Sequence, residues 1–94
     1  MKTETAIVSD PVGFHLRAAN RIVKLTKTFA SDVSISFDGR VANAKSIMGL
    51  ASLAAECGAE VGIVIDGPDE DEAMVRMVRL IEVELAVPEP ENGG

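Results

Sequence analysis

The 94-residue sequence has one cysteine and one histidine. Cys57 therefore has no partner for an internal disulfide, and neither a second cysteine nor a histidine stands near it to complete a metal set. It reads as a small core or helix-end residue, and no metal site is expected. Long apolar runs are missing too. None approaches the roughly 20 residues that a membrane helix needs, so no membrane insertion is expected. The opening Met1 to Thr5 shows no basic segment leading into an apolar run, which makes a cytoplasmic location the expectation. Net positive charge is also lacking. A formal charge of −6 speaks against a nucleic-acid surface, where Lys and Arg cluster.

What charge there is lies unevenly. Residues 1–55 carry seven bases against four acids, while the remainder carries two bases, Arg76 and Arg79, against eleven acids. Such a distribution steers an anion or an acidic protein toward the first half, where Arg17, Arg21, Lys24 and Lys27 cluster. The length suits a single domain with a modest core.

Hydrophobic periodicity then sets the element order. Residues 3–9 favour a strand ending at the turn signal Asp10-Pro11. From Leu16 to about Phe29, Ala19, Ile22, Val23 and Phe29 make the apolar stripe of a surface helix. Val33, Ile35 and Phe37 alternate with serines up to Asp38-Gly39, the pair that a tight hairpin turn prefers, with a return strand near Arg40 to Asn43. Ser46 precedes a helix over Ile47 to Ala55, with Gly58 as its stop. Val61, Ile63 and Ile65 alternate into the turn Asp66-Gly67-Pro68. Asp69 with Glu72 reads as a capping box, and Met74, Met77, Val78, Ile81 and Leu85 as the inner stripe of a last helix ended by Pro88 and Pro90. The acidic run at 69–72 reads as helix-start charge. The expected order is β-α-β-β-α-β-α, an α+β fold with one wet sheet face and helices on the other. The domain spans 1–87, and 88–94 is an acidic segment expected to be disordered.

One stretch carries chemistry. Gly13-Phe14-His15-Leu16-Arg17-Ala18-Ala19 places the sole histidine where a loop becomes a helix. Helices favour Ser, Thr, Asp or Asn at that N-cap, because a side-chain oxygen satisfies the first backbone N–H groups. No such oxygen is present, so the amides of Leu16, Arg17 and Ala18 are expected to await water or an anion, which the helix dipole favours. The same positive end favours a ring nitrogen whose lone pair is free. Arg17 can add charge-assisted hydrogen bonds to phosphate oxygens. The set holds a nucleophile, anion donors and a counter-charge, with no acid–base pair, metal cluster or glycine-rich phosphate loop. One histidine beside one arginine is nevertheless a pattern that an ordinary surface histidine also fits.

The same seven residues resemble the phosphorylation site of the histidine-containing phosphocarrier (HPr) family of the bacterial phosphotransferase system. Asn43-Ala44-Lys45-Ser46-Ile47-Met48-Gly49-Leu50 is similar to that family's regulatory serine site, at the family's spacing. The resemblance implies an open-faced β-sandwich, a four-stranded antiparallel sheet with three helices on one face. It also implies that His15 takes a phosphoryl group through Nδ1 from the phosphohistidine of enzyme I, with phosphoenolpyruvate as its origin, and passes it to enzyme IIA of sugar uptake. The chain would then be a monomeric carrier rather than a stand-alone enzyme and would need no cofactor. Two positions depart from the family pattern: Leu16, where a small residue is usual, and Ala18, where proline is. Alanine suits a first turn, but a large apolar Leu16 beside the nucleophile alters the contact surface.

Ser46 is explained as a helix cap in its own right. By resemblance it is also a regulatory phosphorylation site, for which a serine kinase/phosphorylase is a further partner, and Lys45 could pair with that phosphate. If Leu50, Leu53 and Ala54 face inward at 100° per residue, Met48 points away, flanked by Ile47 and Ala51. That face reads either as loose amphipathicity or, helped by the resemblance, as a docking surface joined by Phe14, with a basic rim of Arg21, Lys24 and Lys27. An alternative assigns the chain to a regulatory paralogue, in a nitrogen-related branch or as an adapter, that binds partners according to phosphorylation state. Its motive is Leu16.

Overall fold

Asp38 and Gly39 both adopt positive φ, 52° and 78°, and close a two-residue hairpin. The hairpin joins β2 (Asp32–Phe37) to β3 (Arg40–Asn43), with Phe37 opposite Arg40. A computed structural model describes residues 1–87. The expectations for Pro88, Pro90 and the acidic segment 88–94 lie outside the described residues.

Two further strands complete an antiparallel sheet in the order β1-β4-β2-β3: β1 (Lys2–Ile7) and β4 (Glu60–Asp66). Period-2 alternation sorts its faces. Val33, Ile35, Val61, Ile63 and Ile65 are buried, at 3% exposure or less, while Ser34, Ser36 and Val64 lie on the wetter face. Each buried large aliphatic side chain contributes about 1.5–3 kcal/mol. The inner face is covered by α1 (Leu16–Thr26), α2 (Ile47–Ser52) and α3 (Glu70–Glu82), followed by a 3-10 turn, Glu84–Ala86, that buries Leu85.

Several boundaries depart from the sequence reading. The helix expected over Ile47 to Ala55 ends at Ser52, and Ala54 turns the chain with a φ of 55°. Ala54 is therefore exposed rather than inward, and Ala55 is buried in its place. Gly58, at φ 88°, belongs to the turn before β4 and does not stop α2. Cys57 lies exposed in that connection, neither in the core nor at a helix end. The Asp69–Glu72 capping box does not form. The Asp69 carboxylate instead accepts from the amides of Ala30 (2.9 Å) and Ser31 (3.0 Å) and from the Ser31 hydroxyl, closing the end of α3 onto the α1–β2 loop.

Thr26, fully buried on α1, donates through Oγ1 to the carbonyl of Ala44 at 2.8 Å. That bond fixes the loop entering α2 against α1, and the two helices pack side by side. The segments carrying His15 and Ser46 are thus parts of one rigid layer.

Candidate functional site

The histidine loop is built by its own backbone. Asp10 accepts through its carbonyl from Gly13 N (3.0 Å) and through Oδ1 from Val12 N (2.8 Å), a turn reinforced by an Asx bond. Gly13 takes a φ of 86°, and a Cβ there would stand 2.3 Å from the Ala55 carbonyl oxygen. That carbonyl accepts from Phe14 N at 2.8 Å, so the loop is pinned to the segment after α2. The Phe14 side chain anchors the loop from below, and at 3% exposure it belongs to the core. Its expected place on a docking surface is corrected accordingly: an aromatic ring before the nucleophile is used for packing.

His15 stands at the N-cap of α1 with extended backbone, φ −93° and ψ −179°, and its carbonyl accepts the first helical bond from Ala19 N at 2.9 Å. Its side chain is 30% exposed. Nδ1 accepts from the Arg17 amide at 3.3 Å, so the imidazole takes the role that an Asx oxygen fills in other helices. The expectation that all three first-turn amides await an anion is therefore corrected for Arg17, whose N–H meets the ring nitrogen. The amides of Leu16 and Ala18 meet no acceptor among the described residues. Because Nδ1 is the acceptor, geometry assigns the proton of a neutral ring to Nε2. Nε2 lies 3.3 Å from Asp10 Oδ1.

Asp10 is the residue that the sequence reading missed. It stood there only as half of a turn signal, Asp10-Pro11. A lone carboxylate at the head of the loop that ends on His15 was the available clue.

The remaining residues sort by position. The Arg17 side chain is exposed and has no ion-pair partner among the described residues. It borders a recess of about 170 Å³ with Asp10, Val12, Arg21 and Val87. Arg21 is half-buried, and its guanidinium donates to the carbonyls of Val87 (2.7 Å) and Glu84 (3.1 Å). It clamps the end of the described chain, and its expected role as a rim cation is corrected on that account. Lys24 and Lys27 are exposed, as is Leu16 at 59%. On α2, Met48 is 73% exposed, with Ile47 and Ala51 half-buried beside it. Ser46 caps that helix, accepting through Oγ from Gly49 N at 3.1 Å. Lys45 Nζ donates to the Phe29 carbonyl at 3.2 Å in the unphosphorylated chain. No group of three His, Cys, Asp or Glu residues is placed to hold a metal ion among the described residues, and no helix there is long and apolar enough to cross a membrane.

An open-faced α+β sandwich presenting a ring nitrogen at a helix mouth beside an uncommitted arginine has the make-up of a phosphoryl-accepting domain. The family model described as the PTS HPr component phosphorylation site matches residues 2–83, and the chain belongs to that family, HPr of the phosphotransferase system. Among similar proteins, the phosphocarrier protein HPr of Cupriavidus necator is 42% identical over 81 residues, covering 86% of this chain and 90% of that one. The crystal structure of HPr-C-His from Thermoanaerobacter tengcongensis superposes with a TM-score of 0.86 at 35% identity, covering 95% of this chain and 100% of the other. A crystal structure of Crh from Bacillus subtilis, described as a swapped dimer, gives a TM-score of 0.71 at 36% identity, again over 95% and 100%.

Proposed function

We propose that His15 is the phosphoryl acceptor of this phosphocarrier, loaded by enzyme I and unloaded onto enzyme IIA domains of sugar uptake. The observation that supports this most is the split between the ring nitrogens, with Nδ1 turned to the helix mouth as an acceptor and Nε2 turned to Asp10. In the transfer, the Nδ1 lone pair attacks phosphorus while the bond from phosphorus to the donor ring breaks, its electron pair returning to that ring. The phosphoryl oxygens then take the amides of Leu16, Arg17 and Ala18 and the Arg17 guanidinium. Arg17 N–H is released to them because the nitrogen it had met is now bonded to phosphorus.

The domain over 1–87 works as a monomer in the cytoplasm and has no turnover of its own. Met48, Ile47 and Ala51 form its docking face, with Lys24 and Lys27 as the basic rim. Phosphorylation of Ser46 would put nearly two negative charges beside that face. Incubation with enzyme I and phosphoenolpyruvate should give a single acid-labile phosphate that vanishes in His15→Ala. Label persisting in the variant would defeat the assignment.

Leu16, exposed beside the nucleophile, favours a second reading in which the loaded chain serves a regulatory branch. Failure of the phosphorylated chain to transfer to any sugar-specific enzyme IIA domain would select that reading over the first.

A further inference from the structure

The carboxylate at the head of the histidine loop has a place that its turn does not require. Asp10 is 7% exposed, and Oδ1 is fixed by the Val12 amide at 2.8 Å while lying 3.3 Å from His15 Nε2. One oxygen thus meets both the backbone that shapes the loop and the far side of the reacting ring. Among the described residues, no other carboxylate lies within 4 Å of that ring. The other charged residues on the adjoining segments are Arg17, Arg21 and Lys24 of α1 and the exposed Glu56 of the α2–β4 connection, next to Gly13.

We propose that Asp10 is a positioning residue for phosphoryl transfer, holding the proton on Nε2 and serving as counter-charge to the ring when Nδ1 carries phosphate. The proposal rests on His15 being the acceptor. When the Nε2–H ring attacks through Nδ1, no proton leaves it, so the product ring is a cation. The donor, if its ring is protonated on the other nitrogen, departs as neutral imidazole, and charge balances. At unloading the roles reverse. The Nε2 proton kept by Asp10 lets His15 leave phosphorus as neutral imidazole, whereas a ring without it would leave as a poor anionic leaving group. A contact that is long in the unloaded state is expected to tighten as the ring gains charge.

Asp10→Asn separates the two duties. Its amide oxygen can still accept from Val12 N and keeps an acceptor beside Nε2 at the place of Oδ1, so the loop and the tautomer are expected to be kept and only the charge lost. Asp10→Ala loses both. In the full-length unphosphorylated chain carrying 15N-histidine, the Nε2-bound proton is expected to be resolved in wild type and Asp10→Asn and broadened by exchange in Asp10→Ala. An equally sharp signal in Asp10→Ala overturns the positioning role. This readout needs no phosphate, so it stands apart from the acceptor assignment, which fails separately if the wild-type chain takes no phosphate on His15. In the loaded chains, hydrolysis of the phosphohistidine at neutral pH is expected to slow about fivefold in Asp10→Asn, as for an ion pair at the strong end of the partly exposed range. Equal rates in wild type and Asp10→Asn overturn the counter-charge role.

Discussion

Gly13 meets two demands that no amino acid with a side chain satisfies together. Its φ of 86° lies where side chains are strained, and a Cβ would enter the Ala55 carbonyl oxygen at 2.3 Å. Gly13→Ala is therefore expected to lose about 2 kcal/mol or more in denaturant unfolding and to loosen the Phe14 N–Ala55 O bond. Protection of the Phe14 amide from hydrogen exchange unchanged from wild type would refute that. At this scale the site was partly legible. His15 could be seen because a histidine occupies a position where helices want an oxygen, and the exposure of Met48 followed from turning the helix by 100° per residue. Phe14 and Asp10 were misjudged for one reason. Whether a loop side chain faces the core or the solvent depends on loop geometry, which Gly13 sets through a contact with Ala55, 42 residues away in sequence.

Elements were legible where their determinants are local. The Asp38-Gly39 turn and the alternation of β2 and β4 stand in the sequence because turn chemistry and period act over a few residues. The end of α2 did not, because Ala54 enters the left-handed region without the glycine that normally marks it. Asp69 is the clearest case of distant override. Its carboxylate serves Ser31 and Ala30, 38 and 39 residues away, in place of its own helix. The Ser31 hydroxyl and then the Ala30 amide hold that carboxyl below its usual pKa. A carboxylate depressed in the folded state contributes stability above its unfolded pKa and loses it as pH falls through the folded value. Stability should accordingly decline on the acid side, below about pH 4. In Asp69→Asn, the midpoint of thermal unfolding should be lower near neutral pH, and the gap to wild type should narrow as pH falls. Parallel profiles would contradict the linkage.

For the molecule as a whole, charge is arranged rather than merely summed. The excess of acids lies beyond residue 55, while the exposed Lys24 and Lys27 stand at the far end of α1, the helix that His15 caps. Arg21, counted from sequence with that cluster, is held by backbone carbonyls, so the cation field facing a partner is smaller than composition suggests. Reversing one remaining charge, Lys27→Glu, should slow loading by enzyme I severalfold at low salt and flatten its dependence on ionic strength. A loading rate with the wild-type salt dependence would remove Lys27 from the rim. Phosphorus is proposed to travel on one nitrogen of one side chain at the mouth of α1. Phosphorus–nitrogen coupling in the NMR spectrum of the loaded, 15N-histidine chain reads which nitrogen that is. A single phosphorus resonance coupled to Nδ1 of His15 is expected; coupling to Nε2, or an uncoupled phosphate on Ser46 or elsewhere, would contradict it.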